Sequence, residues 1–294
     1  MNNLIKTIGF LPIYPFGLLI YKALRNQFPL VLSSKDTLEL LIKTKKSLSR
    51  FGDGELNFIS GRGIGFQCPN QNLAIELNRV LMNPNNNCLI AIPDVFHSLK
   101  RLNIVAKCFW LFKILTNWKK WKQSLCLNQY CDSLVSRFYI DLNNKKSSVT
   151  IFELWRKLWD KRDVVIIEGE KTKMGVGNDM FSNTSSISRI ICPSKNAFDV
   201  YPKIVDAAKK SSRSSLILIA LGPTASILAN DLSAEGFQAI DCGHLDLEYN
   251  WMISNSKKKT SIPGRAINEL NNDSIEDIND NIYLSQIIAK IGID

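Results

Sequence analysis

Asp53-Gly54-Glu55 sets two carboxylates one residue apart, directly after a short strand candidate. In an extended segment residues i and i+2 face the same side, and Gly52 and Gly54 let the backbone turn tightly. Hard divalent cations such as Mn2+ and Mg2+ take oxygen ligands, commonly one or two carboxylates with substrate phosphates completing the shell. Asp53 and Glu55 therefore suit a metal site, and Arg50 beside them could pair with a carboxylate or a phosphate. Taken alone, the same residues also describe an ordinary solvated turn.

Four further groups lie at the ends of apolar runs. Glu168-Gly169-Glu170-Lys171 is followed by Met174-Gly175-Val176-Gly177-Asn178-Asp179, a polar loop offering Glu170, Lys171, Asn178 and Asp179 to a cleft. Its G-x-G lacks the third glycine and sits too far from the strand for a dinucleotide fingerprint. Leu221-Gly222-Pro223-Thr224 joins a strand to a helix, and free N–H groups at a helix start attract an anion, with Gly222 and Thr224 nearest to it. Cys192-Pro193-Ser194-Lys195-Asn196 offers Lys195 and Asn196 by the same logic. Asp241-Cys242-Gly243-His244-Leu245-Asp246-Leu247-Glu248-Tyr249 supplies candidate general bases in His244, Asp246 and Glu248, the last two equally able to add to a metal shell.

The elements that must carry these groups read as an α/β chain. Ser34 precedes an apolar-periodic helix to about Lys46, Ser47–Phe51 is a short strand, and Leu73–Leu81 is a helix. Asn83–Asn87 is a turn cluster before the strand Cys88–Ile92. Val164–Ile167, Ile187–Cys192, Leu216–Leu221 and Ala239–Asp241 read as strands alternating with helices near Lys171–Phe181, Asp199–Lys210 and Thr224–Glu235. That rhythm predicts a mostly parallel sheet flanked by helices on both faces, with ligands at the carboxyl ends of its strands. Residues 95–131 hold seven Lys/Arg and no acidic residue, mixed with Phe109, Trp110, Phe112, Trp118 and Trp121, and read as a helical basic insertion. Ser254–Asp280 is loop-like and Ile282–Ile291 is expected to close the chain as a helix. The organisation expected is an apolar arm over 1–33, one α/β domain over 34–253, and a C-terminal loop and helix over 254–294.

The chain has 294 residues, 45% of them hydrophobic, enough for one large α/β domain. Charged residues at 22% argue against global disorder, and a formal net charge of +10 favours anionic partners. Seven cysteines without a C-x-x-C pair read as reduced thiols of a cytoplasmic protein, and two histidines make a zinc site a poor fit. The apolar run Ile8–Tyr21 is broken by Pro12 and Pro15, with no cleavage site after it, and is shorter than the ~20 residues a spanning helix needs. It suits a membrane surface or packing on the domain.

In order along the chain, R-F-G-D-G-E, I-E-G-E-K-x-K-x-G-V-G-N-D, I-C-P-S-K-N-A-F, A-L-G-P-T-A and D-C-G-H-L-D-L-E-Y-x-W resemble the GT-D type of glycosyltransferases, from about Leu38 to Trp251. The resemblance implies a Rossmann-like α/β fold, a D-x-E motif that binds Mn2+ and the donor UDP, and hexose transfer from a UDP-sugar to a growing glycan. Asp53 and Glu55 would then be the metal and diphosphate residues, with the remaining motifs lining the donor and acceptor cleft. A polysaccharide, lipid-linked or glycoprotein acceptor is implied, with no nucleic acid beyond the donor nucleotide. The Lys/Trp-rich segment around 100–125 matches none of these motifs and could form a peripheral contact at the cytoplasmic face of a membrane. Two other classes fit parts of the sequence: a phosphohydrolase using the same carboxylates, and a non-catalytic basic scaffold binding membrane or nucleic acid.

Overall fold

The computed structural model describes residues 14–61, 64–65, 67–265, 267 and 280–293. Its centre is a nine-stranded sheet in which every pairing is parallel, ordered β1-β4-β3-β2-β8-β7-β5-β6-β9. The strands are β1 (Leu30–Val31), β2 (Ser47–Arg50), β3 (Cys88–Ile92), β4 (Gln129–Asp132), β5 (Asp163–Gly169), β6 (Ser186–Cys192), β7 (Leu216–Ala220), β8 (Gln238–Asp241) and β9 (Ile287–Lys290). A parallel sheet needs a crossover between neighbours and so is covered on both faces, which is why the inner strands are near-continuous apolar runs. Val164 to Ile167 and Leu216 to Ile219 are all buried.

Alternate residues of one strand serve the two faces. Leu48, Ile166, Leu218 and Ile240 pack with α2 (Ser34–Thr44), α6 (Lys146–Trp159) and α9 (Leu245–Ile253). Val165, Ile167, Ile217 and Ala239 pack on the other side with α7 (Tyr201–Ala208) and α8 (Pro223–Ala234). Over the β3–β4 half of the sheet, a third cluster joins α1 (Tyr14–Leu24), α3 (Asp53–Ile59), α4 (Gln71–Met82) and α5 (Ile104–Trp121). The shortest helix, α10 (Asn281–Ser285), leads into β9. No helix among the described residues is long and apolar enough to cross a membrane.

Several local expectations are corrected. Asp53-Gly54-Glu55 is not an extended turn: it opens α3, with Gly52 as N-cap and Glu55 folding back to accept from the Gly52 amide at 2.8 Å. No helix forms over Lys171–Phe181, where the chain runs through successive turns with Lys173, Gly175 and Gly177 at positive φ. Ile282–Ile291 divides into α10 and β9, because Gln286 to Lys290 complete the sheet beside β6. The cap of α2 is Ser33, whose hydroxyl accepts from the Asp36 amide at 3.1 Å. Of the N-terminal arm, residues 1–13 lie outside the described residues; those that follow form α1 and β1, and β1 pairs with β4. Of the C-terminal loop, residues 266 and 268–279 lie outside them too.

The Trp-with-Lys interface expected of α5 does not form. Trp110, Trp118 and Trp121 all face the core. Helical periodicity puts them on the buried stripe of the helix, whose Leu111 and Leu115 pack on Gly17 of α1, while Lys119, Lys120 and Lys122 stay in solvent.

Candidate active site

β2 and β8 lie side by side, and the loops leaving their carboxyl ends open a cleft of about 360 Å³. Crevices of this kind, at the carboxyl edge of an open parallel sheet, are where α/β folds take their ligands. Among the expected residues, Arg50, Gly52, Asp53, Glu55, Lys171, Asn196, Gly222, His244 and Asp246 line it. Glu170, Asn178, Asp179, Lys195, Thr224 and Glu248 do not.

Arg50 ends β2 and knits the cleft floor. Its Nε donates to the Asp241 carbonyl (2.7 Å), Nη1 to the Ser133 carbonyl (3.0 Å) and Ser136 Oγ (2.6 Å), and Nη2 to Asp241 Oδ1 (2.8 Å). One side chain thus binds β2, β8 and the turn after β4 together. Its donors are engaged with protein, so it holds the floor rigid more than it offers itself to a phosphate. Gly243 must be glycine: its φ is +46°, and an added Cβ would fall 1.9 Å from Arg50 Nη2.

Asp53 and Glu55 stand on the first turn of α3, where the free amide ends favour negative charge. Asp53 Oδ2 meets Lys113 Nζ of α5 at 2.8 Å, a partner the sequence reading missed. Glu55 is pushed up to about 7, first by burial and then by the nearby Asp241 carboxylate. Burial also raises Asp241, against the pull of Arg50. The site therefore gathers carboxylates whose mutual repulsion a cation would relieve, and all of their donors are hard oxygens. No cluster of three or more His, Cys, Asp or Glu able to hold an ion exists among the described residues. Asp53 and Glu55 fit a metal that keeps waters and shares ligands with a substrate phosphate, the usual habit of Mg2+.

Across the cleft, Lys171 is half-buried and makes no hydrogen bond or ion pair among the described residues. Beside it Gly222, at φ +54°, lines the cleft and caps α8; Pro223 then brings no N–H and the Ala225 amide donates to the Gly222 carbonyl at 2.9 Å, so the anion site expected at the start of that helix is not presented to the cleft. Asn196 serves the loop instead: its Oδ1 accepts from the Cys68 amide at 2.9 Å and so fastens the 64–68 segment to the end of β6. Thr224 is fully buried within α8 and cannot reach the cleft.

The candidate bases separate. Glu248 is wholly buried, with Oε2 accepting from the Tyr139 and Ile140 amides at 2.8 Å each, and cannot meet an acceptor. Asp246 lines the cleft, but its oxygens are bound to Arg265, the Gly175 amide (2.8 Å) and Asn178 Nδ2 (3.2 Å). Asn178 is thus a clasp beneath the site, as is Asp179, which accepts from Tyr249 OH at 2.5 Å. Glu170 accepts from Ser194 Oγ at 3.1 Å, and Lys195 is exposed away from the cleft. His244 does line it, with Arg137 Nη2 3.3 Å from both ring nitrogens.

Ser133, Arg137, Trp110, Thr172 and Asp241 complete the lining, and the sequence reading did not select them. Asp241 was within reach, as the last residue of a strand ending in the expected motif. Arg137 and Trp110 come from segments with no motif.

Comparison with known proteins agrees with this geometry. The chain is 38% identical over 264 residues to the probable glycosyl transferase Gly of Streptococcus gordonii, covering 89% of this chain and 39% of that protein. It is 36% identical over 259 residues to the glycosyltransferase GlyD of Streptococcus pneumoniae serotype 4, covering 87% of this chain and 32% of the relative. It thus spans less than two fifths of the length of either relative. A solved structure described as a distinct glycosyltransferase fold, of the highly conserved domain of unknown function 1792, superposes with a TM-score of 0.90 at 36% identity, covering 94% of this chain and 100% of that one. A second, described as a new glycosyltransferase from Streptococcus sanguinis, gives 0.86 at 37% identity, covering 90% and 99%. The family model for the glycosyltransferase GT-D fold matches residues 48–270, from within β2 to beyond α9, and on that match the chain belongs to this family.

Proposed function

We propose that this chain is a metal-dependent glycosyltransferase that moves a hexose from a UDP-sugar to a hydroxyl group of a glycan. The observation that carries the reading is a single cleft holding the Asp53/Glu55 pair together with Lys171, which has no hydrogen-bond or ion-pair partner among the described residues, and the Gly222 turn. An ammonium group suits a diphosphate, and the carboxylates suit the cation that accompanies it. The relatives' names support the reaction class but not the sugar or the acceptor.

In this reading Asp53 and Glu55 would hold Mn2+ or Mg2+, and the ion supplies Lewis-acid neutralisation of the charge appearing on the departing UDP. Lys171 binds the same diphosphate and shares that charge, and Gly222, without a side chain, leaves room for it. Arg50 keeps β2 and β8 in register so that these groups need no reorganisation. The acceptor oxygen bonds to the anomeric carbon as the bond from that carbon to the diphosphate oxygen breaks. Its proton goes to His244, the candidate base whose ring lines the cleft beside Arg137.

Titration with UDP-glucose, UDP-galactose and UDP-N-acetylglucosamine in Mn2+ tests the donor class; no binding of any of them overturns it. Release of UDP should rise when a glycan is added, whereas a phosphohydrolase would release sugar at the same rate without one. Asp53→Ala and Glu55→Ala should each lower transfer by at least ~100-fold, comparable to loss of an electrostatic stabiliser. Their circular dichroism should stay that of the parent.

A peripheral membrane contact, and with it a lipid-linked acceptor, is favoured by α1 rather than α5. Phe16 and Leu19 are 66% and 63% exposed on a helix with Lys22 in its last turn and Arg25 directly after it. The cysteine pattern would put that contact on the cytoplasmic side. The chain should sediment with phosphatidylglycerol vesicles more than with phosphatidylcholine ones, and Phe16→Glu with Leu19→Glu should abolish the difference.

A further inference from the structure

A second concavity lies at the far end of α3. It has a volume of about 890 Å³ and is walled by the end of α3, the first turns of α4 and the segment that ends α5. The proposed reaction needs two substrates, and the cleft already described is filled with groups suited to a diphosphate.

The lining of the groove is of a different character. Among the described residues that line it, thirteen in all, only Lys120 is charged, whereas 22% of the chain is. Amides take the place of charges: Asn70, Gln71, Asn78 and Gln123, with hydroxyls from Ser60 and Ser124. Asn78 Oδ1 accepts from Ser124 Oγ at 2.8 Å, and Asn70 Oδ1 caps α4. The Gln71 and Gln123 side chains are exposed and make no hydrogen bond among the described residues. An amide both donates and accepts, which matches a sugar hydroxyl. A phosphorylated ligand or nucleic acid would call for several cations, and the described lining offers one lysine.

Position links the groove to the cleft. α3 carries Asp53 at its first residue and Ile59, in the groove, at its seventh. At 1.5 Å per residue the two are about 9 Å apart along the helix. Ile64 and Gln67 line the cleft, while Gly61 before them and Pro69 after them line the groove, so residues close in sequence wall both spaces.

We infer that this groove is the acceptor subsite, binding a neutral oligosaccharide whose end reaches the cleft. The inference rests on the transferase reading above for the word acceptor, but not for the binding itself. The test is titration of the full chain, by isothermal calorimetry and saturation-transfer NMR, with maltohexaose, cellohexaose and chitohexaose. The same titrations use a Gln71→Ala/Gln123→Ala double variant and a groove-filling Ala74→Trp variant. At least one hexasaccharide should bind, and its Kd should rise tenfold or more in both variants while UDP-glucose binding in Mn2+ stays unchanged. Failure of all three sugars to bind, or binding that both variants leave intact, overturns the inference. Glycan binding lost in the variants, with no UDP-glucose binding in the parent, would keep the glycan site and overturn the donor reading instead.

Discussion

Glu248 sits in the first turn of α9 with its carboxylate turned into the protein, held by two backbone amides through Oε2, while Oε1 has no hydrogen-bond partner. Burial pushes it up to about 7, partly offset by Arg137. It therefore binds its proton more tightly in the folded chain than in the unfolded one, where glutamate titrates near ~4.3. Its contribution is fully present below about pH 4 and is lost as pH rises through 7, since the folded form must then bury a charge. The difference amounts to about 4 kcal/mol at most. Glu248→Gln removes the titration, so urea unfolding should show the variant gaining on the parent between pH 5 and pH 8. An equal gap at both values would show that Glu248 does not titrate there. A carboxylate five residues beyond Gly243 looks, by type and place, like a catalytic base. Its burial is set by where the segment after β4 crosses α9, and no local pattern encodes that crossing.

Elements were legible where burial follows a simple period. β5 and β7 are unbroken apolar runs, and α4 has the repeat Leu73, Leu77, Val80, Leu81, each fully buried. They were opaque where long-range contacts decide. α3 begins at Asp53 because Glu55 closes a capping box on Gly52, turning an apparent loop into a helix start. The 171–181 stretch stays irregular because Glu168, Arg189 and Asp246 hold its backbone: Met174 N donates to Glu168 (2.7 Å) and Arg189 Nη2 to the Met174 carbonyl (2.9 Å). α6 was not assigned, although Ile151, Leu154, Trp155 and Leu158 mark its buried face. Trp155 is fully buried and its Nε1 donates to the Val135 carbonyl at 3.1 Å. Trp155→Ala should cost about 3–5 kcal/mol in urea unfolding, the cavity and the lost donor acting together. A cost below ~1 kcal/mol would mean that α6 contributes little to the fold.

On the scale of the whole molecule, the two halves of the sheet are closed from the end of the chain. Arg265 returns over α9 to pair with Asp246 and donates to the Val176 carbonyl at 2.6 Å, with both charged groups almost wholly buried. β9 then covers the edge of β6. These are separate devices with separate costs. Breaking a buried pair by removing one partner leaves an uncompensated charge and costs about 3–5 kcal/mol, whereas an uncovered strand edge mainly invites association with other chains. A chain ending at residue 279 keeps Arg265 and loses β9; it should unfold within ~2 kcal/mol of the parent yet form oligomers on gel filtration. A chain ending at residue 260 loses both, and should fall by about the cost of the full-length Arg265→Ala variant on top of the first truncation. If the 260 chain proved as stable as the 279 chain, the Arg265–Asp246 pair would not be what ties the cleft loops to α9. Asp246 would then be available to the chemistry of the cleft it lines.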